Sequence, residues 1–307
     1  MKKNFINSIL LTFLYAFIAV FAVNAQVNAD FSGDVKTDIS IYRPSDDNWY
    51  IRNVSGGYSV TNLGFTGDIP IPFDFTGDGK AEVAVWRSST GAWLGLKSED
   101  NSFFSNTLGL AGDIPIPGFY DSDSKADRAV YRPSTGYWYI EQTGGGGSIS
   151  QAFGTSEDKP VASDYDGDGK DDIAVFRPST STWWILSSAN NTTSATQFGT
   201  SGDKVQHGDY TGDGKTDLAV FRPSNGYWYI HRSEDQTYYA VPYGVSTDVP
   251  VAGDYDGDGK TDPAVYRPSE GNWYISGSST NFGTINFGIP GDIPIPGFYR
   301  AGDIPIP

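Results

Sequence analysis

A nine-residue acidic stretch recurs six times at almost constant spacing, and this periodicity restricts the possible folds more than any other feature of the chain. Its fullest form, DYDGDGKTD, starts at Asp254. The other copies start at Asp30 (DFSGDVKTD), Asp74 (DFTGDGKAE), Phe119 (FYDSDSKAD), Asp164 (DYDGDGKDD) and Asp209 (DYTGDGKTD). Successive starts differ by 44, 45, 45, 45 and 45 residues, so the chain is a repeat array.

In the unit spanning 248–288, a short apolar segment (VPVAGDY) leads into the acidic stretch and a second (PAVYRP) leaves it. A turn (SEGN) precedes a third (WYIS), and a fourth ends at Phe287-Gly288. Four short strands separated by turn signals in about 45 residues is the pattern of a propeller blade. No window carries a 3.6-residue apolar period, so the fold class is all-β: a β-propeller of four-stranded blades. Six blades are expected, or seven if the C-terminal unit at 291–307 is a truncated one.

Two further series keep the same register. Trp49, Trp93, Trp138, Trp183, Trp228 and Trp273 supply one indole per unit, which predicts packing between neighbouring blades, with a ring of sugar-stacking platforms as the alternative. Arg43, Arg87, Arg132, Arg177, Arg222 and Arg267 close the second strand, all but Arg87 followed by proline, which ends a ladder. Asp68, Asp113, Asp158, Asp203, Asp248 and Asp292 stand just before each first strand. Matching registers predict a repeated bidentate ion pair that belongs to the scaffold. The glycine run 144–147 reads as a hairpin tip.

The ends depart from the pattern. Lys2 and Lys3, an apolar run over 9–23 and Val23-Asn24-Ala25 read as a cleaved secretory signal over residues 1–25, with Gln26 as the new N-terminus. The run is shorter than the roughly 20 apolar residues of a spanning helix, so no membrane span is expected after cleavage. Residues 26–29 are a poor version of the first strand, whereas 292–299 is a spare one. Because closure protects sheet edges, the spare strand is expected to complete the blade begun near Gln26.

The formal charge is −16, or −18 without the first 25 residues, and such acidity disfavours nucleic acid as a partner. Of 37 acids, 21 lie within the six stretches and six more in the Asp series, so the acidity is mostly an inventory of oxygen ligands. The absence of cysteine excludes a thiol nucleophile and thiolate-bound zinc.

Oxygen-bearing side chains at the first, third, fifth and ninth positions, with glycines at the fourth and sixth, suit a hard cation such as Ca2+. The competing reading, acidic turns that bond only their own backbone, leaves many like charges close together without a cation. Asp164, Asp166, Asp168 and Asp172 form one full set; Asp254, Asp256, Asp258 and Asp262 form another. A hydroxyl replaces one carboxylate in Asp209, Thr211, Asp213 and Asp217, and in Asp74, Thr76, Asp78 and Glu82. The first loop has Asp30, Ser32, Asp34 and Asp38, with Val35 at the sixth position. The third loop starts with Phe119 and retains Asp121, Asp123 and Asp127.

These loops, together with Phe153-Gly154, Phe198-Gly199 and Phe287-Gly288, resemble the FG-GAP and VCBS repeats of bacterial surface proteins, which are related to the propeller of integrin alpha chains. The resemblance covers residues 30 to about 299. It implies that each loop joins two adjacent strands and binds Ca2+ through the residues named above. The lysine at the seventh position (Lys36, Lys80, Lys125, Lys170, Lys215, Lys260) stands where that family uses a backbone carbonyl. The expected function is that of an exported module, secreted or at the cell surface, binding an extracellular protein or glycan, with adhesion implied by the integrin likeness and lectin activity the alternative. Catalysis is not expected: His207, where other units carry alanine, and His231 lie at different positions in their units, and few acids remain for a glycosidase pair.

Overall fold

The computed structural model describes residues 28–53 and 56–297; the expected signal at 1–25 and the last apolar segment at 303–307 lie outside them. The described residues form six four-stranded antiparallel sheets and no helix, a six-bladed β-propeller. In blade six the order is Val249–Pro250, Ala264–Arg267, Asn272–Ser276 and Asn281–Asn286, each strand pairing with the next. The two middle strands are largely buried and the fourth is exposed, which places short apolar segments inside and Thr- and Ser-rich ones at the rim.

Blade one is assembled from both ends of the chain. Ile39–Arg43, Asn48–Arg52 and Ser59–Asn62 form three of its strands, and Ile293–Ile295 pairs with the first of these through Ser40 and Ile295, Ile41 and Pro294, and Tyr42 and Ile293. The spare C-terminal strand therefore fills the position expected of it. Among the described residues every blade thus has all four strands.

The six repeated tryptophans are 0–1 % exposed, in clusters that join successive blades. Each indole Nε1 donates at 2.8–3.0 Å to the carbonyl that precedes the unit's closing glycine: Leu63, Leu108, Phe153, Phe198, Tyr243 and Phe287. This burial rules out a ring of exposed sugar platforms. The closing glycine is dictated by sterics: Gly154 has φ +132°, and a Cβ there would lie 2.6 Å from the Tyr131 hydroxyl. Trp228→Ala should cost about 3–5 kcal/mol, since it empties a buried site and leaves the Tyr243 carbonyl without its donor. Urea unfolding at fixed calcium measures it.

All six expected ion pairs form: Arg43 with Asp292, Arg87 with Asp68, Arg132 with Asp113, Arg177 with Asp158, Arg222 with Asp203 and Arg267 with Asp248. Each guanidinium donates through Nε and Nη2 at 2.7–3.0 Å. The same aspartates accept the backbone N–H three residues upstream at 2.8–3.0 Å, from Phe65 through Ile289, and so fix the link between blades. The arginine ring is scaffold, and it marks one face of the disc.

Candidate metal centre

The acidic loops occupy the opposite face, between the first and second strands of each blade. In the fourth loop Asp164 accepts Gly167 N–H at 2.6 Å and Gly169 N–H at 2.8 Å, and Asp74, Asp209 and Asp254 repeat the arrangement. The glycines make this curl possible, with φ of +80° at Gly167 and +86° at Gly169. In the first loop Val35 takes φ +64° at the sixth position and still donates to Asp30 at 2.7 Å.

The ninth-position acid lies deepest. Asp38, Glu82, Asp127, Asp172, Asp217 and Asp262 are all fully buried. In each of the last five, one carboxylate oxygen accepts an N–H from the hairpin between the third and fourth strands: Ser98, Thr143, Ser188, Ser233 and Ser278, each 16 residues downstream, at 2.6–3.2 Å. The hydroxyls of Ser98, Ser233 and Ser278 reach the fifth-position acids Asp78, Asp213 and Asp258, whereas Ser187 reaches Asp166. This supporting hairpin was not recognised in the sequence, although one Ser or Thr recurring every 45 residues was its signal.

Backbone hydrogen bonds join the loops into a ring. The eighth residue of each loop donates to the first-position carbonyl of the preceding loop at 2.6–2.8 Å: Ala81 to Asp30, Ala126 to Asp74, Asp171 to Phe119, Thr216 to Asp164, Thr261 to Asp209, and Thr37 to Asp254 across the closure. Because these bonds use carbonyls, the ring survives the loss of the first acid at Phe119.

Three loops each bring three acids within reach of one ion: Asp74, Asp78 and Glu82; Asp164, Asp166 and Asp172; and Asp254, Asp256 and Asp262. Asp168 and Asp258, expected as ligands, stand outside these groups. Lys170 lies 3.8 Å from Asp168, and Ser278 caps Asp258. Among the described residues, the acids of the first loop (Asp30, Asp34, Asp38), the third (Asp121, Asp123, Asp127) and the fifth (Asp209, Asp213, Asp217) form no such group. In the third loop Gly144 N–H donates to Asp121 at 3.0 Å and a Cβ there would sit 2.7 Å from that carboxylate, so the glycine tip is fitted to the loop. Asp171, in the fourth loop, accepts Phe119 N–H at 2.8 Å, bringing a carboxylate to the loop that lacks its own first acid.

Burial sets the electrostatics. Desolvation pushes Asp172 up to about 6 and Asp262 up to about 7, each with a neighbouring loop aspartate adding to the shift, and it also raises Asp74, Glu82, Asp164 and Asp254. Desolvation likewise raises Asp127 to about 6 and Asp171 to about 7. A cation among these carboxylates would favour their ionised form. An all-oxygen donor set at this spacing fits a hard divalent ion, so the three groups could hold a metal.

Fold and loops define the class: a six-bladed β-propeller with acidic loops on one face. Residues 209–265 match the FG-GAP-like repeat, so the propeller carries an FG-GAP-like repeat, and the same loop pattern recurs around the disc. No curated protein matches the chain by sequence. Among solved structures it resembles an Agrocybe aegerita lectin that recognises non-reducing terminal N-acetylglucosamine, with 14 % identity and a TM-score of 0.53 over 81 % of this chain and 74 % of the lectin. It also resembles virginiamycin B lyase from Staphylococcus aureus, with 7 % identity and a TM-score of 0.51 over 84 % of this chain and 87 % of the lyase. At such identities the likeness is one of fold.

Proposed function

We propose that this protein is an exported, calcium-stabilised propeller that acts as an extracellular binding module, with adhesion its first role. The observation that carries the calcium reading is the gathering of three acids in each of the second, fourth and sixth loops around deeply buried ninth-position carboxylates. Ca2+ would be held by Asp74, Asp78 and Glu82, by Asp164, Asp166 and Asp172, and by Asp254, Asp256 and Asp262. There it would neutralise the buried acids and so fix the hairpins that cap them. Export rests on the N-terminal signal pattern; among the described residues no helix is long and apolar enough to cross a membrane.

Binding is favoured over catalysis. His207 is buried in the inner strand Lys204–Gly208, and His231 packs edge-on against Phe198 at 5.3 Å, so the two histidines occupy different places in their blades. Glycan binding is the second reading, supported by a cleft lined by aromatic side chains on the arginine face and by the lectin's shared fold. An array of extracellular proteins and glycans, probed with and without EDTA, tests both. A calcium-dependent hit is expected, and an array blank under both conditions would contradict a binding role.

A further inference from the structure

Among the described residues, the loops that gather acids (second, fourth and sixth) alternate around the disc with those that do not. Each of the former is held by one of the latter. Thr37, Ala126 and Thr216, the eighth residues of the first, third and fifth loops, donate to the carbonyls of Asp254, Asp74 and Asp164, the first acids of the three groups. The residue before each donor is the seventh-position lysine, and its side chain lies across the same preceding loop. A Cβ on Gly257 would stand 2.9 Å from Lys36 Cε and 3.1 Å from its Cγ; one on Gly77, 2.9 Å from Lys125 Cγ; one on Gly167, 3.2 Å from Lys215 Cγ and 3.3 Å from its Cε. The lysine stems therefore occupy the space that a side chain at the fourth position would take.

The covered glycines are the ones that hold the first acids: Gly77 N–H donates to Asp74, Gly167 N–H to Asp164 and Gly257 N–H to Asp254, at 2.5–2.7 Å. Each first acid is thus fixed twice by the loop that follows, at its own carbonyl by the eighth N–H and at its carboxylate through the glycine under the lysine stem. A lysine suits this place, since its methylenes can cover a surface while the ammonium stays in water. The third loop shows the contrast. It has Phe119 in place of a first acid and Ser122 in place of the glycine, and Lys170, which follows it in the ring, turns back to its own Asp168 at 3.8 Å. Lys80 and Lys260 cover Gly33 and Gly212 as the others do, so the contact steadies a first acid without supplying the ligands that the first and fifth loops lack.

We infer that Lys36, Lys125 and Lys215 are positioning residues for the acid groups of the sixth, second and fourth loops, and that the first, third and fifth loops act as their clamps. This role rests on the calcium reading of the proposed function. Calcium is titrated into the EDTA-stripped chain while the amide resonances of Gly77, Gly167 and Gly257 report the three groups separately. Lys215→Ala should weaken the Gly167 response about tenfold, the scale of losing an outer partner that orients a metal ligand, and leave those of Gly77 and Gly257 as they were. Lys215→Met keeps carbons at the Cγ and Cε positions and should restore the affinity. A role confined to charge predicts otherwise: without the ammonium, repulsion of the ion falls and both variants bind calcium more tightly. In the metal-free chain the Gly167 amide should exchange with solvent faster in Lys215→Ala than in Lys215→Met. Equal calcium affinity in the two variants overturns the clamp while the calcium reading stands. An unsubstituted chain that takes up no calcium defeats that reading, and the positioning role with it.

Discussion

Chelation is expected to lower the melting temperature by about 10 °C or more, since each ion bound at a hundredfold excess over its dissociation constant stabilises the native state by about 2.7 kcal/mol and three loops gather acids for one. The effect should also reverse with pH. In the metal-free protein Asp172 and Asp262 hold their protons up to about 6 and 7 because they are desolvated, whereas unfolded aspartates release theirs near about 3.9. The native state then binds more protons than the unfolded chain across that window. The stability they contribute is fully present below pH ~4 and is lost as pH rises through about 6 to 7. With EDTA, melting temperature should therefore rise on acidification from neutral pH. With calcium it should fall, because protons compete with the ion for the same oxygens. Calorimetric melts over pH 5 to 8, with and without EDTA, give both curves. Parallel curves would contradict any role for a cation in the loops.

Removing residues 292–307 is expected to abolish cooperative folding. The truncation deletes the strand that closes blade one, strips Arg43 of Asp292, and exposes the edge of Ile39–Arg43. It also removes the buried side chains of Ile293 and Ile295, worth about 1.5–3 kcal/mol each, from a native state whose whole stability is of the order of 5–15 kcal/mol. Deleting only 299–307 keeps Ile293–Ile295 and should leave the melting temperature close to that of the full chain. Circular dichroism melts of the two truncations separate the outcomes. Equal, cooperative melts would show that the ring does not depend on its closing strand.

Much of this architecture is written in the repeat. Six loops, six tryptophans and six Arg–Asp registers at one period indicate six blades and their strand order, and the spare strand at 292–299 indicates the closure. The ranking of the loops was less legible in the sequence. Thr76 and Thr211 look equivalent in sequence, yet the second loop gathers three acids around Glu82 and the fifth does not around Asp217. Glu82 has one more methylene than Asp217, and its Oε1 accepts from the Thr76 hydroxyl at 3.2 Å, so its reach substitutes for the absent third-position acid. The contribution of Asp171 to the Phe119 loop, and the serines that cap the ninth-position acids, were hidden for a related reason. They depend on contacts between loops and hairpins that are remote in sequence.

The most direct test of the central claim is the number of calcium ions bound per chain, measured by calorimetric titration of the EDTA-stripped protein at neutral pH. At least three ions are predicted, with Asp172→Asn removing the one in the fourth loop and leaving those of the second and sixth. A stripped protein that takes up no calcium, and titrates identically with Asp172→Asn, would contradict it.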